Sequence, residues 1–192
     1  GIAEKPSEMF IPFNDPAWEP AACAADQAGI DVFAYNVPPR LMPLIDKAKN
    51  LQKVTGPTLY CLQLYFNLAR KPLDNLKVRQ AINFALDRTA FVKASLAGVG
   101  EPAYMNLPKN HWAYDETLVG LYPHNIAKAK QLLAEAGYPN GFSVTLDCVN
   151  IAWREGVCQA AAGMLGQVGI RTQVRSAPTN QFFPKLSQGT AS

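Results

Sequence analysis

The chain has 192 residues, of which 48% are hydrophobic and 17% charged, and its formal net charge is +3. This composition supplies a sizeable core and argues against a disordered chain. The mild, scattered positive charge provides no basic stripe for nucleic acid. No apolar run is long enough for a membrane-spanning helix, so we expect a globular protein that neither binds nucleic acid nor crosses a membrane.

The first part of the chain predicts mostly irregular structure around one strand. Residues 1–28 show little periodicity, and the prolines of "FIPFNDPAWEP" are typical of a loop. The apolar, β-rich run Ile30–Val37 predicts a buried strand that Pro38 and Pro39 end. "RLMPLIDKAKN" predicts a short helix before the turn at Thr55–Pro57.

The segment Leu59–Asn67, "LYCLQLYFN", predicts the strongest strand in the chain. Its side chains alternate between two faces, as those of a strand do. The even-numbered apolar residues from Leu62 to Phe66 share one face, and Gln63 and Tyr65 lie on the other.

The hydrophobic period then changes to that of a helix. Apolar residues recur at helical spacing after Asp74 and Asn75, either of which can be the N-cap. Asp87 can cap a second helix, which Gly98 closes. Residues 99–124 show no period and predict a long irregular loop.

Helices and strands alternate over the rest of the chain. "NIAKAKQLLAEAG" and "EGVCQAAAGMLGQVG" predict helices, "GFSVTLDC" and "IRTQV" predict strands, and "TNQFFPKLSQG" predicts a last short helix with Pro184 as an unfavourable residue. This order predicts an α/β fold in which helices flank a mixed sheet. Eight residues on facing surfaces are expected to be largely buried. They are Val78, Ile82, Val144, Leu146, Val157, Ala161, Leu165 and Ile170.

No motif in the sequence indicates catalysis. The two histidines, His111 and His124, fall in the irregular segment, and no cysteine is followed by a nucleophile signature. The four cysteines, at positions 23, 61, 148 and 158, include no close pair of the kind that zinc sites use. We therefore expect no cofactor and no metal. On the residues alone, Cys148 and Cys158 could be a redox pair, half of a metal site or a disulfide.

Three segments occur in an order and spacing that is typical of one family. They are "PLDNLKVRQAINFALDRTAFVKASLAGVGEPA", "NIAKAKQLLAEAGYPNGF" and "MLGQVGIRTQV", with "GIDVFAYNVPP" and "LYCLQLYFN" upstream. The chain resembles the family 5 solute-binding proteins of bacterial ABC transporters, the oligopeptide-, dipeptide- and nickel-binding group. The resemblance covers roughly residues 28–192 and leaves residues 1–27 without a clear counterpart.

The resemblance implies one lobe of a periplasmic binding protein-like (class II) fold, in which two α/β lobes enclose the ligand. It implies a periplasmic receptor, soluble or lipid-anchored, that is not an enzyme and delivers a peptide to the permease subunits of a transporter. Residues 1–57 would be a loop-rich segment and the tail of the first lobe, and residues 58–192 most of the second lobe. The chain would then be a fragment, and the family's next segment, which often holds an acid for the peptide's amino end, would follow Ser192.

The same resemblance assigns six residues to the ligand cleft. Two lie in a turn after the first-lobe strand, two on the strand that crosses between the lobes, and two at the start of the last helix. In that order they are Tyr35, Asn36, Gln63, Tyr65, Thr179 and Asn180.

The oxidising compartment implied by the resemblance predicts a disulfide between Cys148 and Cys158. A strand end and the first turns of the following helix can approach within bonding range. Three functions remain open. They are a peptide receptor, a receptor of the same fold for a nickel chelate or another small solute, and a cysteine-dependent hydrolase on an unrelated α/β fold. The last would need a thiolate with a lowered pKa.

Overall fold

The computed structural model describes residues 42–47, 61–96, 98, 100–189 and 191. The chain divides into two units, Gly1–Val54 and Thr55–Ser192, and each is described by itself. In the first unit, helix α1 (Met42–Lys47) lies within the predicted short helix. The predicted strand Ile30–Val37, with Tyr35 and Asn36, lies outside the described residues, and the division of the chain into two lobes stays a prediction.

Two consecutive helices begin the described part of the second unit, and side-chain caps set where each starts. Helix α2 (Leu76–Ala85) is capped by Asn75, whose side chain accepts a hydrogen bond from the Lys77 amide at 2.9 Å. Helix α3 (Arg88–Ser95) is capped by Asp87 in the same way. Both helices were predicted, and the structure selects Asn75 over the neighbouring acid as the first cap.

An irregular stretch follows α3, as predicted. The Gly98 amide donates to the Val92 carbonyl oxygen at 2.9 Å just beyond the helix end, and this bond closes the last turn. The described residues from 100 to 125 contain a single short 3-10 turn, Glu116–Leu118, and otherwise no helix or strand.

A parallel β–α–β unit forms the second half of this part of the chain. Strands β1 (Ser143–Val149) and β2 (Arg171–Ala177) pair in parallel, from Ser143 opposite Arg171 to Val149 opposite Ala177, and helix α5 (Ala152–Gly166) makes the crossover between them. The α/β class with helices flanking a sheet is thereby confirmed, with a parallel pair as its described sheet. The elements are α4 (Ile126–Glu135), β1 (Ser143–Val149), α5 (Ala152–Gly166), β2 (Arg171–Ala177) and α6 (Thr179–Ser187).

The prediction of a strand over Leu59–Asn67 is wrong for its described residues. Residues 61–67 form no strand, and Leu62 and Tyr65 are 41% and 64% exposed. An alternating sequence pattern predicts which face each side chain lies on. It does not provide the neighbouring strand whose backbone would form the hydrogen bonds. In the described sheet β1 and β2 pair only with each other, so this segment has no strand partner there.

The core lies where α2, α4 and α5 pack together beside the residues that precede the two strands. Buried residues of these helices and of the following turns form one cluster around Leu133 and Ile170. Five of the eight predicted core residues are buried, namely Val78, Ile82, Ala161, Leu165 and Ile170. The other three, Val144, Leu146 and Val157, are partly buried, and Val144 packs against the core cluster.

Candidate functional site

Two of the predicted ligand residues lie on the surface segment 61–67. Gln63 is exposed, and its Nε2 donates a hydrogen bond to the Asn106 carbonyl oxygen at 3.1 Å. Tyr65 is exposed as well. The bond from Gln63 joins this segment to the irregular stretch that follows α3.

Asn67 fastens the same segment to the end of the chain. Its Nδ2 donates to the carbonyl oxygens of Gly189 at 3.3 Å and Ala191 at 2.6 Å, just beyond helix α6. Its Oδ1 accepts from the Ala69 amide at 3.1 Å and shapes the turn that follows. Sequence reasoning placed Asn67 only on a strand face. An asparagine before a turn is a local sequence signal that predicts the contact with the Ala69 amide. It does not predict the contacts with Gly189 and Ala191.

The other two described candidates, Thr179 and Asn180, begin helix α6. Thr179 is half-buried and Asn180 is exposed. A helix of nine residues is about 13 Å long, and Asn67 contacts the chain beyond the other end of it. The described contacts therefore join segment 61–67 to the C-terminal end of α6, and they do not bring Thr179 and Asn180 together with Gln63 and Tyr65.

A cavity of about 170 Å³ opens between the start of α3 and the end of the irregular stretch. Here Asp87 Oδ2 lies 3.3 Å from His124 Nδ1, and Asp87 Oδ1 accepts from the Ala90 amide at 3.0 Å. The pKa of Asp87 is lowered, first by the Ala90 hydrogen bond and then by His124. The carboxylate therefore stays ionised and holds both the helix start and the histidine.

Arg88, also at the start of α3, anchors the same stretch. Its Nη1 donates to the Tyr122 carbonyl oxygen at 3.2 Å and its Nη2 to Asn83 Oδ1 at 3.0 Å. The guanidinium carbon lies 5.6 Å from the centre of the Tyr104 ring, and burial lowers the pKa of Arg88. The contacts of Asp87 and Arg88 thus tie the start of α3 to the irregular stretch, and we assign the residues that line the cavity to holding that stretch in place.

Replacing Asp87 with alanine is expected to lower the free energy of unfolding by about 1 kcal/mol, since an N-cap is lost. The folded-state pKa of Asp87 is depressed. The ionised Asp87 carboxylate therefore adds to the free energy of unfolding at any pH above the ordinary aspartate pKa. This contribution is lost as the pH falls through the depressed folded-state pKa. Asp87→Asn keeps a cap acceptor and removes the titration. Urea unfolding from about pH 3 to about pH 7 should show less acid sensitivity in the asparagine variant, and identical pH profiles would contradict this role.

Two of the three described cysteines are joined in a disulfide, and the third is free. Cys148, near the end of β1, and Cys158, in α5, form the predicted disulfide, with 6.5 Å between their Cα atoms. Cys61 is a free thiol, and burial raises its pKa. A nucleophilic cysteine needs the opposite shift, so Cys61 does not support the hydrolase hypothesis. Cys23 lies outside the described residues.

The disulfide gives a prediction that peptide mapping can check. A digest made without reductant should contain Cys148 and Cys158 in one linked pair, with Cys61 as the free-thiol control. Closing a loop of about eleven residues contributes up to roughly 3 kcal/mol in the chain-entropy account. The double alanine variant should lose up to that much stability. Free thiols at both 148 and 158 in protein that has never met reductant would contradict the assignment.

Neither a metal cluster nor a membrane span is found in the described part of the chain. Within these residues no three His, Cys, Asp or Glu side chains are grouped so that they could hold a metal ion. No described helix has the length and apolarity needed to cross a bilayer.

The sequence matches a family model described as bacterial extracellular solute-binding proteins, family 5 Middle, over residues 17–192. The match includes residues 17–27, for which sequence reasoning found no clear counterpart. The chain is 37% identical over 170 residues to the glutathione-binding protein GsiB of Escherichia coli K12. That alignment covers 85% of this chain and 33% of GsiB, so the chain spans about a third of the length of the curated relatives it matches.

Solved structures show the same fold. AgaA of A. tumefaciens R10, in complex with agropinic acid, is 30% identical and superposes with a TM-score of 0.76 over 90% of this chain and 35% of AgaA. The oligopeptide-binding protein AppA of Bacillus subtilis, in complex with a nonapeptide, is 29% identical. Its TM-score is 0.72 over 87% of this chain and 36% of AppA.

Proposed function

The chain belongs to the bacterial extracellular solute-binding proteins of family 5, and from this membership we propose that it is part of a receptor that captures peptides outside the cytoplasm. The match over residues 17–192 is the observation that carries the proposal. The whole protein would pass its ligand to the permease subunits of an ABC transporter, as a soluble or lipid-anchored receptor rather than an enzyme. The names of GsiB and AppA, a glutathione binder and an oligopeptide binder, support a peptide as the ligand class.

The proposed capture mechanism uses enclosure between two lobes. A peptide held between two walls loses its water on both sides, and its backbone and terminal charges then need partners from the protein. We assign Gln63 and Tyr65 to one wall. With Nε2 bonded to Asn106, Gln63 is held in place and can accept a peptide N–H through Oε1. Tyr65 offers a ring face and a hydroxyl.

The remaining candidates are assigned to the cleft by family resemblance. Tyr35 and Asn36 would lie in the cleft-facing turn that follows the first-lobe strand. Thr179 and Asn180, at the start of α6, would border the cleft at a different point from segment 61–67, since they are about one helix length from the Asn67 contacts.

A second candidate function is capture of a small solute other than a peptide. AgaA is 30% identical to this chain and its structure holds agropinic acid, which favours keeping this alternative. A nickel chelate belongs to the same alternative. Both candidates use the same enclosing fold, and they differ in the groups that must be recognised.

Isothermal titration of the whole protein tests the proposed wall. Glutathione and short peptides are the probes, and we expect Gln63→Ala and Tyr65→Ala each to weaken binding. The matched control is Leu68→Ala, an exposed apolar residue just beyond the segment, which should bind as the unmodified protein does. Binding unchanged in both segment variants would remove segment 61–67 from the ligand site.

A further inference from the structure

The irregular stretch contains a loop that closes on itself, residues 105–115. The Asp115 amide donates to Met105 Sδ at 3.5 Å and joins the two ends of the loop. Inside it, the His111 amide donates to the Pro108 carbonyl oxygen at 2.9 Å, and the Tyr114 amide donates to the His111 carbonyl oxygen at 3.0 Å. Internal bonds of this kind give an irregular loop a defined shape, and compact loops of this kind are frequently functional.

This closed loop holds Trp112 out in solvent. The Trp112 side chain is 93% exposed, although tryptophan is highly buried on average. Its ring stacks on the His111 imidazole, with 5.5 Å between ring centres and 30° between ring planes. His111 is itself fixed, because its Nδ1 accepts from the Ala113 amide at 3.1 Å. The indole therefore contacts the His111 ring and is otherwise almost entirely exposed to solvent.

The loop stands beside the proposed ligand wall. Asn106, the second residue of the loop, accepts the hydrogen bond from Gln63 Nε2 at 3.1 Å. A side chain of segment 61–67 thus connects the proposed ligand contacts directly to the base of the loop that carries Trp112.

We propose that Trp112, supported by His111, is a stacking platform that receives an aromatic or large apolar side chain of the bound peptide. This inference rests on the proposed peptide-binding function and deepens it, because it names a residue that sets side-chain preference. An exposed indole ring favours flat apolar groups and stacks on aromatic rings. It makes no hydrogen bond to the peptide backbone, so it selects among peptides without being required for all of them.

The test uses the whole protein and the tripeptides Ala-Phe-Ala and Ala-Ala-Ala in isothermal titration. We expect Trp112→Ala to weaken binding of Ala-Phe-Ala roughly tenfold, the upper range for an aromatic contact, and to change binding of Ala-Ala-Ala by less than about twofold. Trp112→Phe should restore most of the preference for the phenylalanine peptide. The control is Leu121→Ala, which removes an exposed apolar side chain outside the loop and should change neither affinity.

The outcomes separate this inference from the proposed function. If the unmodified protein binds neither peptide nor glutathione, the peptide-receptor proposal fails and the platform fails with it. If the unmodified protein binds both peptides and Trp112→Ala binds them equally well, the receptor stands and the platform is overturned. Equal weakening of both peptides would also overturn it, since that result means a loss of the site rather than of a side-chain contact. Melting temperatures of all variants should match, because the substituted side chains are exposed.

Discussion

Replacing Leu133 with alanine is expected to lower the free energy of unfolding by about 3–5 kcal/mol, the upper part of the range for buried leucine. Leu133 is 1% exposed and lies in α4, inside the cluster that α2, α4 and α5 share. Truncation removes the transfer free energy of the lost methyl and methylene groups and leaves a cavity among close-packed neighbours. Urea unfolding followed by circular dichroism measures the change.

The matched control for this prediction is Leu121→Ala. It makes the same chemical change at a residue that is 54% exposed in the irregular stretch, and surface changes of this kind usually stay within about 0.5 kcal/mol. If the two leucine variants unfold at the same urea concentration, α4 does not pack on the core in the way described.

Gly141→Ala is expected to lower the free energy of unfolding by about 3 kcal/mol or more. Gly141 has φ +70°, and a Cβ at this position would run into the carbonyl oxygen of Gly169. A left-handed backbone costs an alanine about 1–2 kcal/mol, and forcing atoms into filled space adds about 1–3 kcal/mol. The turn before β1 and the turn before β2 touch here, so the backbone at either turn must shift to admit a methyl group.

Gly137→Ala provides the comparison that isolates the clash. Gly137 also has a positive φ, +89°, but a Cβ there meets nothing within 4 Å. Only the backbone cost of about 1–2 kcal/mol applies to it. Equal destabilisation by the two alanine substitutions would show that the turns at 141 and 169 are not in close contact.

Local signals were enough to predict most of the helices. Asn75 and Asp87 each precede a run of helical periodicity, and a cap acts within three residues of its own position, so its effect is visible in the sequence. Pairing of strands is not local. The alternation in segment 61–67 predicted a strand, but a strand also needs a hydrogen-bonded neighbour, and the sequence pattern contains no information about where that neighbour lies.

The candidate site was predicted through family resemblance rather than from residue chemistry. Gln63 and Tyr65 were assigned to the cleft in that way, and their assignment stays a prediction. The contacts that hold their segment were missed, because Asn67 reaches Gly189 and Ala191 across more than 120 residues of sequence. Trp112 was read only as part of an irregular loop, since its exposure depends on how the loop closes on itself.

Native mass spectrometry of the whole protein, purified from its bacterial source without unfolding, tests the central claim most directly. A receptor that encloses its ligand between two lobes should carry a retained small molecule, and we expect a mass increment that matches a short peptide and is lost after denaturation and refolding. A retained solute of another class would support the second candidate function, capture of a small solute, over capture of a peptide. Protein that carries no solute, and that gains none when glutathione and peptides are added, would contradict the account of this chain as part of a solute receptor.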